Sequence, residues 1–298
     1  MNNSRVGENY QDHAAALYGY ELIAEGPKTL DIFQDGAEVQ KAMAEYMATH
    51  SGPLSSTPST NLFAAYASLS TAAEIAALKE TILSPAYGGH RQAVKEIIAE
   101  SIGDVGSGNI QLIILPISMN VTDISATGNL NIPPQGQLGK QGVTIAVGVQ
   151  RGLSVGSIHV INNDPLVDPA IDPEYLSHPG DLEILGKGLE LATKIANTSP
   201  FKELIKRRYG PEDDSKTKKN VEDNLRGHVV TTFHPIGTVS IGLEGEGACD
   251  DLLRVWGCTG LRVVDASVIP LHISGNIIAT VYAIAEKAAY MIKSDWDI

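Results

Sequence analysis

The spacing of apolar residues changes twice along this chain, which excludes both an all-helical and an all-stranded fold. Residues 36–49 place Val39, Met43, Tyr46 and Met47 on one side of a helix and Gln40, Lys41 and Glu45 on the other. Residues 71–83 and 90–101 repeat that character. The stretches 51–60 (SGPLSSTPST) and 84–89 (SPAYGG) interrupt it with proline, glycine and serine, so both read as loops. The first hundred residues are therefore predicted to be mostly helix and loop. The period then shortens. Residues 111–117 (QLIILPI), 143–149 (VTIAVGV) and 157–161 (SIHVI) are short β-branched runs bounded by Gly, Pro or Asn, which predicts an antiparallel sheet. Helical spacing returns over 181–197 through Leu182, Leu185, Leu189, Ala192 and Ala196, with an acidic first turn that suits the positive end of the helix dipole. The last third reads as a strand over 229–233, a strand over 261–265 and a closing helix over 281–293. Segment 216–220 (KTKKN) has nothing apolar to bury and is predicted to be a mobile loop.

With 298 residues, 43% of them hydrophobic, the chain can bury one large core or two interleaved ones. Its 35 acidic and 22 basic residues leave a net charge of -13, which repels a polyphosphate backbone and argues against nucleic acid as a partner. The one dense basic run, 202–208 with 216–219, reads as a solvated helix and loop. No apolar stretch is long enough to span a bilayer and the opening MNNSRVGENYQDH has no signal-peptide pattern, so a cytoplasmic protein with no membrane partner is expected. Cys249 and Cys258 read as ordinary thiols, and no His/Cys cluster predicts a metal.

Two segments carry polar residues where chemistry is done. FHPIGTVSIG (233–242) puts His234 at the end of a strand, before a proline and a glycine that turn the chain. A histidine presented at such an edge can act as a base, or can simply be satisfied within its turn. GLRVVDASVIPLHISGNIIATVYAIAEKAA (260–289) ends a strand in Asp265, Ala266 and Ser267 and delivers Asn276 just before an apolar helix. Strand ends and helix N-termini are where ligands bind in open α/β sheets, although Asp265 and Asn276 could equally serve as caps.

The order H-P-x-G-T, L-R-V-x-G, G-L-R-V-V-D-A-S, S-G-N and I-A-E-K-A-A resembles the C-terminal signature of glucose-methanol-choline (GMC) flavin oxidoreductases. VGENYQDH (6–13), GPLS (52–55) and GSIHVINNDPLVDPAIDPEYLSH (156–178) extend the resemblance over nearly the whole chain. It implies an α+β fold: a substrate-binding domain with an antiparallel sheet and flanking helices over 36–247, and a remnant of the α/β FAD-binding domain over 1–35 and 248–298. It implies that His234 takes the hydroxyl proton of an alcohol while hydride leaves for FAD, and that Asn276 holds the substrate oxygen. It further implies that Asp265 and Ala266 lie beside the ribityl and phosphate chain of the cofactor, with Ile277, Ile278, Ala279 and Thr280 near its pyrimidine side.

The departures are equally specific. The family's N-terminal G-x-G-x-x-G turn, which holds the FAD pyrophosphate, has no counterpart in these residues. GDVGSG (103–108) has the wrong spacing and runs into a strand-like segment, so it reads as a turn. Val155 stands where family members often carry Arg before Gly-Ser. Three functional readings remain open at this point, the third being a non-catalytic binding or regulatory remnant, since a fold does not guarantee a function. In the first, the chain is the substrate and catalytic-base part of an alcohol-oxidising enzyme, cut, truncated or self-standing. It then binds FAD weakly alone and is completed by a separate FAD-binding chain. In the second, a flavin-free isomerase, dehydratase or cyclase reuses His234 and Asn276 on an apolar small molecule, and a homodimer covers the exposed strand edge.

Overall fold

A computed structural model describes residues 3–55, 59–85, 89–121, 135–210 and 225–297. Chain order is β1 (Ala14–Leu22), α1 (Gly36–Thr49), β2 (Thr60–Ala64), α2 (Ala72–Leu83), α3 (Gly89–Ile102), β3 (Ile110–Leu115), β4 (Gly142–Val149), β5 (Ser157–His159), β6 (Ala170–Asp172), α4 (Pro179–Ala196), β7 (Ile205–Gly210), β8 (Val229–Thr231) and α5 (Ile278–Trp296). Among the described residues, six strands form an antiparallel sheet in the order β2-β3-β4-β1-β7, with β8 paired to the start of β1. β5 and β6 form a separate two-stranded ribbon.

Period-two alternation explains how the sheet is buried. On β4, Val143, Ile145, Val147 and Val149 face a core shared with Ile110 and Leu112 of β3, Leu78 and Ile82 of α2, Ile98 and Ile102 of α3, and Leu182, Leu185 and Leu189 of α4. On the opposite face, Ala146 packs with Ala15, Leu17, Val121 and Val230. α4 begins on Pro179, capped by the His178 side chain, and buries Asp181 in its first turn. The Asp181 carboxylate accepts from Leu153 N and Ser154 N at 2.8 Å, which fixes the loop after β4. Gly188 lets this helix reach the sheet, because a Cβ there would lie 2.4 Å from Val147 and 2.8 Å from Ile110.

A smaller core of Cys249, Leu253, Val268 and Ala288 ties α5 to the loops before it. Residues 3–11 run along those loops: Gly7 N donates to Thr238 O at 2.8 Å, and Gln11 and Ile236 exchange backbone hydrogen bonds at 3.1 and 2.9 Å.

Four expectations are corrected. Segment 1–35, assigned with 248–298 to the FAD-domain remnant, contributes β1 to the middle of the sheet, so only its first residues lie with the C-terminal loops. β1 and β2 also place strands in the first hundred residues, predicted as mostly helix and loop. The basic run 202–208 ends a short helix, Phe201–Leu204, and then enters β7 at Ile205 instead of continuing as a solvated helix, because Lys206 Nζ and Arg207 Nε both donate at 2.8 Å to buried Glu21 of β1. Burial raises the Glu21 pKa, but these cations outweigh it and bring the value to about 2. Segment 261–265 has a single bridge, Arg254 to Arg262, and no ladder, since among the described residues no strand lies alongside to pair with it. The closing helix is longer than predicted, and 103–108 is a turn in which Asp104 accepts from Gly106 N at 2.9 Å. Segment 216–220 lies outside the described residues. No described helix is long and apolar enough to cross a membrane.

Candidate active site

The end of β8 is shaped by hydroxyls. Thr231 Oγ1 accepts from Phe233 N at 2.8 Å and donates to Asp12, and Phe233 takes a left-handed φ of 63°. That backbone costs a bulky residue about 1–2 kcal/mol, offset here by the bonds on either side of it. The turn exposes the Phe233 ring and leaves His234 half-buried. Buried Asp12 anchors the turn by accepting from His234 N at 3.1 Å and from the Tyr175 hydroxyl at 2.6 Å.

Around His234 the fold gathers two further histidines that sequence reasoning did not nominate. His13 Nδ1 lies 3.2 Å from His234 Nδ1, with the two rings edge-on. His272 stacks on His13 with centroids 3.7 Å apart, and its Nε2 donates to His234 O at 2.9 Å. Burial lowers all three pKa values. For His13 burial, then the neighbouring His272, brings the value to about 3, whereas Asp12 opposes the shift at His234 and His272. The three rings are therefore neutral at neutral pH. The signal for His13 was its place closing NYQDH, a motif used only as a mark of resemblance.

Asn276 is reached through a relay of amides. Gln111 Nε2 donates to Asn61 Oδ1 at 2.9 Å and to Asn276 Oδ1 at 3.4 Å. Gln150 Nε2 donates to Gln111 Oε1 at 3.0 Å, and Gln150 Oε1 accepts from Gly275 N at 2.6 Å. Gly275 has φ +108°, open to glycine but not to side-chain-bearing residues without strain. Asn276 is thus held by its oxygen and stands on exposed surface. No hydrogen bond joins His234 to Asn276 among the described residues. They share the 271–276 segment instead, through His272 and through His13, whose Nε2 lies 3.0 Å from Ile273 O. A cavity of about 560 Å³ lies apart from both, lined by residues including Arg5, Glu8, Gln11, Lys95 and His178.

The six residues expected at the cofactor fall in two places. Asp265 is exposed and caps the turn Ala266–Val268, accepting from Ser267 N at 2.8 Å. Ile277 precedes α5 without a capping side chain, and Ile278, Ala279 and Thr280 form the first turn. That turn presents uncapped backbone N–H groups beside an exposed Ile278, and the buried Ser274 hydroxyl next to it has no partner among the described residues. Donors for a ring carbonyl beside an exposed apolar residue fit one side of a flavin. No group of three or more His, Cys, Asp or Glu side chains that could hold a metal ion occurs among the described residues.

A family model described as GMC oxidoreductase matches residues 152–285, which include His234 and Asn276. The dehydrogenase mpl7 of Monascus purpureus is 34% identical over 307 residues, covering 98% of this chain and 48% of the relative. The chain belongs to the GMC oxidoreductase family. An oxygen-dependent choline dehydrogenase of Cronobacter sakazakii is 33% identical over 185 residues, 62% of this chain and 31% of that protein. Among solved structures, a formate oxidase of Aspergillus oryzae superposes with a TM-score of 0.75 at 22% identity, over 99% of this chain and 48% of that one. An FAD-dependent oxidoreductase of Chaetomium thermophilum superposes with a TM-score of 0.79 at 19% identity, over 100% of this chain and 50% of that one. These two establish the shared fold. This GMC chain corresponds to the C-terminal half, spanning about half the length of the relatives it matches.

Proposed function

We propose that this chain provides the proton-accepting and substrate-holding half of an enzyme that oxidises an alcohol CH–OH, with His234 as the base. The observation carrying this reading is a half-buried imidazole, held neutral by burial, fastened at its backbone to Asp12 and joined through His272 to the 271–276 segment that presents exposed Asn276. A neutral imidazole can take a hydroxyl proton near neutral pH, and the carbon of an alkoxide releases hydride far more readily than that of an alcohol. Asn276, tethered by Oδ1, has its amide N–H groups free to donate to the substrate oxygen as negative charge develops there. FAD, when bound, supplies the hydride acceptor. Asp265, Ala266 and Ile277 to Thr280 would hold one side of it, and the FAD-binding portion of the family fold would hold the rest.

The test is to mix the chain with FAD and a separately produced complementary half, such as the portion of the Monascus purpureus dehydrogenase that this chain does not match, and add primary and secondary alcohols without oxygen. Alcohol-dependent loss of visible flavin absorbance is the expected result. Isomerisation or dehydration of a substrate by the colourless chain alone would contradict the proposal and favour flavin-free acid/base chemistry at the same residues.

A further inference from the structure

The hydrogen bonds around His234 admit one arrangement of protons. His13 Nε2 lies 3.0 Å from the Ile273 carbonyl, and a carbonyl only accepts, so that nitrogen carries the hydrogen. A neutral imidazole has one such hydrogen, which leaves His13 Nδ1 as a bare lone pair. Burial, followed by the adjacent His272, keeps this ring neutral with a pKa of about 3. The Gln150 carbonyl also acts on the ring and is again an acceptor. Thr232 donates its only hydroxyl hydrogen to His13 O at 3.0 Å. Thr232 Oγ1 and His13 Nδ1 each lie 3.2 Å from His234 Nδ1, so both neighbours of that nitrogen can only accept.

We infer that His13 and Thr232 are positioning residues that keep the hydrogen of His234 on Nδ1 and leave the free lone pair on Nε2. The inference rests on the reading of His234 as the base and names the atom that acts. When Nε2 takes the substrate proton, the electron pair of the broken O–H bond stays on oxygen. Nδ1 keeps its own hydrogen, and the imidazolium donates through it to two acceptors already in place, a charge-assisted arrangement that needs no reorganisation. Asp12 adds a fixed negative charge on the same ring's backbone side, and His272, donating to His234 O, is neutral. The alternative hydrogen position would set two lone pairs against His234 Nδ1.

The test is long-range proton–nitrogen NMR on the full chain with labelled histidine at neutral pH. His234 is expected as the Nδ1–H tautomer, with Nε2 bare. In a His13→Phe/Thr232→Val double variant it should revert towards the Nε2–H form that imidazole prefers in water. An Nε2–H spectrum for the parent, or an unchanged tautomer in a folded double variant, overturns the inference. If the double variant does not fold, the parent spectrum decides. An Nδ1–H parent supports the arrangement even if His234→Ala leaves turnover intact, which would remove the base reading alone. An Nε2–H parent with turnover abolished in His234→Ala overturns the arrangement and keeps the base.

Discussion

A fully buried neutral imidazole makes folding sensitive to acid. His13 titrates near 6.5 when unfolded and at about 3 when folded, so between those values the unfolded chain binds the extra proton. Its contribution is therefore fully present above pH 6.5 and is lost progressively as pH falls to about 3. Denaturant unfolding measured across that window is expected to show falling stability, and His13→Phe should flatten the slope. A slope unchanged by the substitution would assign the acid sensitivity to other groups. His234 was legible because a strand end, a proline and a glycine present it within one short segment. His13 was not: its partners, His234 and Ile273, lie more than 200 residues away in sequence, and no local pattern records such a contact.

Elements with a strong apolar period were legible to within a few residues, as α2, α4 and β4 show, whereas α1 has the expected bounds but leaves Met43 and Met47 exposed and buries only Ala42. β1 was not legible, because AAALYGYEL is buried on both faces and carries small residues, so neither alternation nor β-branched enrichment marks it. Its Gly19 also packs under Tyr209, where a Cβ would meet the ring at 2.3 Å, a contact visible only once β7 is paired. The close seat of α4 on the sheet gives an element-scale prediction. In an exposed helix Gly→Ala would gain about 1 kcal/mol of helix propensity, whereas forcing a methyl into a filled core costs about 1–3 kcal/mol. With Val147 and Ile110 inside van der Waals distance of that methyl, overpacking wins, and Gly188→Ala is expected to destabilise the fold by about 1 kcal/mol. Chemical denaturation checks the sign, and a stabilised variant would show that α4 sits further from the sheet.

At the scale of the whole molecule, large apolar side chains stand exposed on α5 and beside the β5–β6 ribbon. Ile278, Tyr282, Tyr290 and Trp296 of α5 are each about 70% exposed, and Val160 and Leu166 beside the β5–β6 ribbon are more so. Patches of this kind mark an interaction surface. The chain alone is expected to self-associate at micromolar concentration in light scattering, and an FAD-binding half should displace that association. A strict monomer, unaffected by such a half, would contradict this assignment of the surface. The most direct measurement of the account is turnover of an identified alcohol by the flavin-loaded assembly, comparing the parent with His234→Ala and using thermal melting to confirm the fold. The expected result is a loss of about two to four powers of ten with little change in melting, the usual weight of general base catalysis. Unchanged turnover in a well-folded His234→Ala protein would contradict it.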